Sequence, residues 1–201
     1  MKIESQQTRQ HIIDSGYRLI SSKGFSNVGL SQILKFADVP KGSFYHYFKS
    51  KEQFGEEVIL SYFKDYLRNI DCLFEPNNDT GAERLMRYWL RWQATQHDAC
   101  IDNKCLVVKL SAEVADLSEP MRLALDRGSS SVICKLADCI EAGITDGSLP
   151  AMPPQHTAET LYQLWLGASL RSKLTRDPKV IERVLQVTQA MLATPLANSS
   201  P

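Results

Sequence analysis

The sequence predicts an all-α protein of about nine helices. Apolar residues recur at helical spacing along most of the 201 residues, and this spacing contradicts every short alternating run that could indicate a strand. Near the end of the first quarter, Leu30, Ile33, Leu34 and Ala37 lie at i, i+3, i+4 and i+7, and Asp38-Val39-Pro40 ends the pattern. A second short helical stretch follows at once, so the chain contains a helix, a tight turn and another helix.

The second of these helices has an unusual composition. Phe44 and Phe48 lie at i and i+4, so one face can bury both rings while Tyr45 and His46 point elsewhere. Lysines flank these aromatic residues at positions 41, 49 and 51, as expected of a helix that binds the base edges of a groove between phosphate contacts. The alternative is a solvated amphipathic helix, because basic surface helices are common in soluble proteins.

The neighbouring residues favour a helix-turn-helix at about residues 29–48. Pro40 suits the start of the second helix, where a missing N–H costs nothing. Ser50 followed by Gln53 forms a capping box that begins the next helix at Lys51.

These segments, together with Gly24-Phe25 and Ser50-Lys51-Glu52, resemble the amino-terminal signature of the TetR family of bacterial repressors over roughly residues 5–55. The resemblance implies a three-helix DNA-binding domain at 1–50 and a regulatory, ligand-binding and dimerisation domain at 51–195, joined by a helix over 51–72. We expect residues 196–201 to form a disordered tail. Gly29 stands where the family usually has a hydroxyl residue, so Ser31 is expected to supply that phosphate contact.

The motif and the resemblance together predict a palindromic operator DNA as the partner. The residues expected to contact it are Arg9, Ser31, Lys41, Gly42, Ser43, Tyr45, His46, Tyr47 and Lys51. Arg9 lies on the outer side of a first helix predicted over Gln6–Lys23, where a solvated arginine is the alternative.

Charge is distributed unevenly along the chain. Formal net charge is zero, with 23 basic and 23 acidic residues, but residues 1–54 hold eight Lys and Arg against four Asp and Glu. The remaining residues hold 23 − 8 = 15 against 23 − 4 = 19, so the motif segment carries +4 and the rest −4. The basic segment is the one expected to bind nucleic acid.

Composition also excludes several classes. Five cysteines without a CxxC pair, in a chain with an ample core, favour reduced thiols and a cytoplasmic protein, and no histidine lies at metal-ligand spacing. We therefore expect no metal and no cofactor. The first residues lack an apolar signal segment and no run approaches 18 apolar residues, so no membrane partner is expected.

The rest of the chain contains further predicted helices. Residues 75–81 form a break, after which apolar residues from Leu85 to Trp92 cover nearly the whole circumference of a central helix. Residues 101–103 form a break, and helices are expected from Lys104 to Val114 and after Ser118, followed by a loop over 143–154. Near the end, Val180, Val184, Val187 and Met191 repeat as 4, 3, 4, which indicates a helix seam. The resemblance implies a homodimer through the last two helices, and packing of this seam within one chain is the alternative.

Two regions could hold an effector. The first is a pocket of large side chains, although rings of this size are as common in a core. The residues expected to line it are Trp89, Trp92, Val108, Tyr162 and Trp165.

The second region is Cys105, predicted in the first turn of a helix, where the helix dipole favours a thiolate and Lys104 and Lys109 are close. It should be more nucleophilic than a cysteine buried in mid-helix, such as Cys134; an inert apolar cysteine is the alternative. Residues 105–114 and 164–168 resemble the electrophile-responsive branch of the TetR family, which favours a sensing role for Cys105. Lys173 is a candidate second cation.

We therefore expect a dimeric repressor that leaves its operator when an electrophile or oxidant modifies Cys105. One alternative is noncovalent induction by a small apolar ligand in the aromatic pocket. A helical thiol-dependent enzyme is another, but no His or carboxylate is placed to orient such a nucleophile. A helical adaptor for protein partners is a third, and it would show no salt-dependent DNA affinity.

Overall fold

The computed structural model describes residues 2–97 and 105–193, with the side chains of 2–4 and 97 left out. Nine α-helices and no strand are present among these residues, which confirms the all-α prediction. The helices are α1 (Lys2–Lys23), α2 (Leu30–Ala37), α3 (Lys41–Tyr47), α4 (Lys51–Phe74), α5 (Gly81–His97), α6 (Leu106–Val114), α7 (Glu119–Thr145), α8 (Pro154–Thr175) and α9 (Lys179–Ala193). The predicted break at 101–103 and the tail at 196–201 lie outside the described residues.

The chain divides into two compact units. The first comprises residues 1–66 and 99–129, and the second comprises 67–98 and 130–201. Residues 51–66 and α6 therefore pack with the first three helices rather than with the rest of the body. The boundary predicted after residue 50 separates the DNA-binding helices by function, and it stays a prediction.

The first three helices enclose an apolar core. Ile12, Ile20, Ile33, Phe44 and Phe48 are all buried, as their helical spacing predicts. α1 begins at Lys2, four residues earlier than predicted, because no helix breaker precedes Gln6. It ends as expected at Lys23, where Gly24 adopts a positive φ of 87° and donates its N–H to Ile20 O at 2.8 Å.

The turn between α2 and α3 is built from local hydrogen bonds. Asp38 ends α2 in the left-handed region at φ 51°, and Val39 N donates to Leu34 O at 3.1 Å. Pro40 then caps α3, and Ser50 Oγ accepts the N–H of Gln53 at 3.1 Å at the start of α4. The predicted helix-turn-helix is thus present, with α3 as its second helix.

The second unit has an aromatic core. α8 and α5 both pack on α9. On α5, the side chains of Leu85, Tyr88, Trp89 and Trp92 are buried while Leu90 is 47% exposed, so this helix is not buried over its whole circumference. α7 continues through Thr145 and α8 begins at Pro154, which confines the predicted loop to residues 146–153.

The predicted seam on α9 is only partly available. Val184 is buried within the chain, whereas Val187 is 47% exposed. α9 buries a different stripe, consisting of Ile181, Val184, Thr188 and Leu192. The intramolecular stripe includes a threonine because its hydroxyl bonds a buried indole, which the apolar pattern could not predict.

Within the described residues, no helix combines the length and apolar character that crossing a membrane requires.

Candidate nucleic-acid interface and effector site

One face of α3 is anchored and the other is open to solvent. Phe44 and Phe48 are buried with Phe54 of α4, with ring centroids 5.0 to 5.3 Å apart. Tyr45 is 50% exposed, and His46 is exposed as well. The buried phenylalanines fix the rotation of α3 about its own axis, so the polar residues between them face outward.

The remaining predicted contacts on α3 surround this open face. Lys41 and Gly42 are exposed at its first turn, while Ser43 and Tyr47 are half-buried. Lys41 Nζ lies 5.8 Å from the centroid of the Tyr45 ring. A Cβ added to Gly42 would meet no atom within 4 Å, so packing inside the chain does not require glycine there.

Arg9 and Ser31 lie on the neighbouring helices of the first unit. Ser31 is exposed near the start of α2. Arg9 pairs with Glu57 at 2.7 Å, and its guanidinium carbon lies 5.4 Å from the centroid of the Phe48 ring. Arg9 is therefore engaged within the chain with 34% of its side chain exposed, and its contact with DNA stays a prediction.

Lys51 is also engaged within the chain. Its ammonium donates to Phe25 O at 2.8 Å and lies 4.3 Å from the centroid of that residue's ring. Burial lowers the pKa of Lys51, although the charges of Glu52 and Glu113 oppose the shift. An ammonium carries three N–H groups, so two donors remain for a phosphate.

Cys105 lies at the beginning of α6, although not in its first turn. It is the N-cap residue and is half-buried, and its carbonyl accepts the N–H of Lys109 at 3.3 Å. The helix begins two residues later than the predicted Lys104, which lies outside the described residues. The side chain of Lys109 donates to Ser22 O at 3.2 Å. Lys173 is exposed on α8 of the second unit.

The other described cysteines divide by burial. Cys72 and Cys134 are exposed, so the expectation that Cys134 is buried in mid-helix is wrong. Cys139, five residues further along α7, is the buried one, because an interval of five turns the side chain to another side of the helix. Burial raises the pKa of Cys139 to about 11, and its Sγ donates to Gly81 O at 3.5 Å.

Four of the five predicted pocket residues come together in the second unit. The Trp89 and Trp165 rings stack with centroids 5.1 Å apart, and Trp92 lies 5.7 Å from Tyr162 and 5.8 Å from Trp165. All four side chains are at least 95% buried, so they form part of the core. Val108 is half-buried on α6 of the first unit.

The three indole N–H groups of this aromatic cluster differ. Trp92 Nε1 donates to Ser169 Oγ at 3.1 Å, and Trp165 Nε1 donates to Thr188 Oγ1 at 2.9 Å. Trp89 Nε1 is buried with no hydrogen-bond partner in the described part of the chain. An unsatisfied buried donor costs about 1–3 kcal/mol, so a ligand that offered an acceptor would relieve this cost.

Sequence reasoning missed Glu113. Its carboxylate accepts the backbone N–H groups of Phe25 at 3.0 Å and Ser26 at 2.5 Å. Glu113 lies two helical turns after Cys105 and one after Lys109, so the interval of four was a visible signal. The partners, 87 and 88 residues away in the chain, left no local signal.

No group of three or more His, Cys, Asp or Glu side chains among the described residues is placed to hold a metal ion.

Two family descriptions match the chain. Residues 12–58 match "Bacterial regulatory proteins, tetR family", and residues 81–188 match "Tetracyclin repressor-like, C-terminal domain". These are families of regulators rather than enzymes.

Individual relatives match over nearly the whole chain. The HTH-type transcriptional repressor NemR of Escherichia coli (strain K12) is 39% identical over 96% of this chain and 98% of its own length. The HTH-type transcriptional repressor DhaR of Mycobacterium sp. (strain GP1) is 31% identical over 96% of both chains. The crystal structure of the reduced form of E. coli NemR superposes with a TM-score of 0.88, at 38% identity, covering 95% of this chain and 100% of that one.

Proposed function

This chain belongs to the TetR family of bacterial transcriptional regulators, and we propose that it is a dimeric repressor that releases its operator when a reactive electrophile or oxidant modifies Cys105. Two relatives that match nearly end to end are named transcriptional repressors. The observation that carries the DNA-binding part is the open face of α3, where Tyr45 and His46 are exposed between buried phenylalanines.

The proposed DNA contacts fall into two groups. Tyr45, His46 and Tyr47 are the proposed base contacts, and Lys41 and Ser31 are the proposed phosphate contacts; the exposure of all but the half-buried Tyr47 supports these roles. Gly42 supports a close approach of DNA, since the space around it is open and packing does not demand a glycine there. The remaining proposed contacts are those of Arg9, Ser43 and Lys51.

Salt dependence tests the phosphate contacts. The purified protein is titrated against the DNA upstream of its own gene at several salt concentrations, beside a Lys41→Met variant. We expect the variant to bind more weakly to all sequences and to lose about 0.9 from the slope of log K against log salt concentration. Lys179→Met, an exposed change at the start of α9, is the control and should keep the slope. Operator binding that does not depend on salt would exclude the phosphate contacts, and the absence of any binding would contradict a DNA-binding function.

The sensing role of Cys105 rests on its position and on similarity. It is half-buried at the N-cap of α6, where the helix dipole favours a thiolate. The relative that is 39% identical is named a repressor, and the similar crystal structure is that of its reduced form. Lys109, one turn further along α6, is the cation proposed to act with the thiol, whereas Lys173 belongs to the second unit and stays a sequence-based prediction.

Modification of Cys105 would shift α6 and tilt α4. Two copies of α3 must lie roughly 34 Å apart to enter successive major grooves of a palindrome. A small tilt of α4 in each protomer changes this distance and separates the two recognition helices from the operator.

N-ethylmaleimide provides the direct test. A thiolate adds to the maleimide double bond to form a thioether, and the adjacent maleimide carbon takes up a proton. We expect the reagent to abolish operator binding by the wild type and to leave Cys105→Ser bound. Cys134→Ser removes an exposed thiol elsewhere and should respond like the wild type. Full release of Cys105→Ser by the reagent would exclude the thiol mechanism.

The proposed dimer forms through α8 and α9. Leu170 and Leu174 on α8 are 51% and 71% exposed, and Val187 on α9 is 47% exposed. Gly167 precedes Leu170 by one turn and has no neighbour within 4 Å of an added Cβ, which would allow a partner helix to approach closely. Two helices from each protomer would form a four-helix interface.

A second candidate is induction by a noncovalent ligand in the aromatic cluster, without modification of Cys105. The unpartnered Nε1 of Trp89 favours it, because a ligand with an acceptor oxygen would satisfy this donor. Such induction would reverse on dilution and would persist in Cys105→Ser. Covalent induction would not reverse on dilution and would be lost in Cys105→Ser.

A further inference from the structure

The turn between α1 and α2 is held from outside by the carboxylate of Glu113. Its two oxygens accept consecutive backbone N–H groups, from Phe25 at 3.0 Å and from Ser26 at 2.5 Å. A Cβ added to Gly24 would lie 2.9 Å from Oε2, so the carboxylate lies directly against the backbone of the turn. One side chain of α6 thus satisfies two donors that follow the end of α1.

Lys109, which lies four residues before Glu113 on the same face of α6, also contacts this turn. Its ammonium donates to Ser22 O at 3.2 Å, in the last turn of α1, where carbonyl groups lack helical partners. A cation is favoured at this end of a helix by the macrodipole. The charges on α6 therefore match the groups they meet, the cation on carbonyl oxygen and the anion on N–H groups.

A third contact links the turn to α4. Lys51 Nζ donates to Phe25 O at 2.8 Å, so both polar backbone groups of Phe25 are bonded by side chains of other helices. The Phe25 ring is buried, and a Cβ added to Gly55 of α4 would lie 2.5 Å from it. The turn therefore has a defined place against α4 and α6 together.

The sensing cysteine is connected to these contacts along α6. Cys105, Lys109 and Glu113 lie at i, i+4 and i+8, which places them on nearly one face of the helix. The N–H of Lys109 is bonded to the carbonyl of Cys105 at 3.3 Å. A change that displaces the N-cap or unwinds the first turn of α6 therefore displaces Lys109 directly.

We propose that Lys109 and Glu113 form a clamp, here called the α6 clamp, through which the state of Cys105 reaches the DNA-binding helices. The inference rests on the proposed sensing function. With the clamp closed, the turn at residues 24–29 fixes where α2 begins, and α2 and α3 follow. Displacement of α6 opens the clamp and frees the turn, so α3 loses its fixed orientation.

A structural tie and a coupling element predict different results. If the two contacts only stabilise the fold, removing them lowers stability. The operator dissociation constant after modification of Cys105, divided by its value before modification, then stays unchanged. A coupling element changes this ratio. The ratio is therefore measured for the wild type, Glu113→Gln and Lys109→Met, with N-ethylmaleimide as the reagent and mass spectrometry to confirm alkylation. Asp116→Asn, an exposed carboxylate three residues after Glu113, is the matched control.

Hydrogen exchange at the Phe25 and Ser26 amides gives a second readout. In the wild type we expect alkylation to raise the ratio at least about tenfold and to speed exchange of both amides by a similar factor. In Glu113→Gln, whose amide oxygen can replace only one acceptor, both amides should exchange faster before alkylation and the ratio should fall below about threefold. Lys109→Met should lower the ratio in the same direction, and Asp116→Asn should match the wild type.

The possible failures are distinguishable. A wild type whose operator binding ignores alkylation would overturn the proposed sensing function, and the clamp's role with it. A responsive wild type whose two amides keep their exchange rates, or variants that keep the full ratio, would overturn the clamp alone. Circular dichroism and thermal melting confirm that each variant is folded before its ratio is used.

Discussion

The indole N–H of Trp165 donates to the hydroxyl of Thr188 at 2.9 Å, and this bond joins α8 to α9 inside the aromatic core of the second unit. Both residues are fully buried. The Thr188 hydroxyl in turn donates to Val184 O at 2.8 Å. A polar residue in the buried stripe of α9 therefore has a defined task, which is to satisfy an indole that water cannot reach.

Thr188→Val should destabilise the protein. Valine has nearly the same shape, so the change removes the acceptor of the Trp165 N–H without opening a cavity. We expect the free energy of unfolding, measured by urea titration, to fall by about 1–3 kcal/mol. Thr188→Ser keeps the hydroxyl and should lose only about 1 kcal/mol for the missing methyl group. Equal stability of the valine variant would show that the bond contributes nothing.

Gly42→Ala should change stability and DNA affinity in opposite directions. Alanine favours helix over glycine, and an added Cβ meets no atom of the chain within 4 Å. We therefore expect a gain of about 0.5 kcal/mol in the free energy of unfolding. Operator affinity should nevertheless fall, since the methyl group occupies space proposed for DNA. Thermal melting and operator titration of the same preparation test both signs, and unchanged affinity would exclude close approach at Gly42.

The cysteines should differ in their rates of alkylation. Burial raises the pKa of Cys139 to about 11, so its reactive thiolate is scarce at pH 7.5. With iodoacetamide under native conditions, we expect Cys139 to react at least about tenfold more slowly than exposed Cys72 and Cys134. Peptide mass spectrometry over time measures these rates. Cys105 should react before any of them, and a rate for Cys105 as low as that of Cys139 would contradict its proposed role.

The stability of the protein at low pH should depend on the ionisation of the Glu113 carboxyl group. Burial alone would raise the pKa of its carboxyl, but hydrogen bonds from Ser26 and Phe25 and the charge of Lys109 outweigh burial and place the pKa below its usual 4.5. The folded state therefore gains stability from the ionised group above pH 4.5 and loses this gain as the pH falls through the lowered pKa.

The comparison that tests this pH dependence is wild type against Glu113→Gln, by urea unfolding from pH 7 to pH 3. Other carboxyl groups titrate in both proteins and cancel in the difference. We expect the wild type to have the larger free energy of unfolding at pH 7 and the difference between the two proteins to shrink below pH 4.5. A difference in free energy of unfolding that stays constant from pH 7 to pH 3 would assign the stabilisation to something other than the ionised carboxylate.

Leu170→Glu should weaken the proposed dimer. The side chain is 51% exposed in the single chain, and the proposed interface would bury a charge there without a partner. We expect the dimer dissociation constant, measured by sedimentation, to rise at least about tenfold. Leu117→Glu changes a leucine that is 49% exposed between α6 and α7, and it should leave the dimer intact. Dissociation by the control alone would place the interface elsewhere.

Local patterns predicted the helix-turn-helix well, because their determinants are close in sequence. The spacing from Leu30 to Ala37 defines α2 within the chain itself, and Ser50 with Gln53 defines the start of α4. The same holds for the exposure of Tyr45 between buried Phe44 and Phe48, since an interval of four fixes one face of a helix.

Long-range contacts could not be predicted in this way. The sequence offered Arg9 and Lys51 as phosphate contacts, and in the folded chain Arg9 pairs with Glu57 while Lys51 bonds Phe25. Nothing local distinguishes a lysine that faces solvent from one that bonds a carbonyl 26 residues away. The burial of Cys139 rather than Cys134, by contrast, follows from local spacing, because Cys139 lies seven and three residues after Val132 and Leu136 on the buried face of α7.

The sequence by itself determined the family, the all-α class and the exposed face of α3, since helix periodicity, capping and turn chemistry act over a few residues. Tertiary structure alone decided what the charged side chains do. Glu113 and Lys109 meet the turn after α1 because folding brings together segments nearly 90 residues apart. The partners in such hydrogen bonds depend on positions in the folded chain, and helix periodicity along the sequence does not predict them.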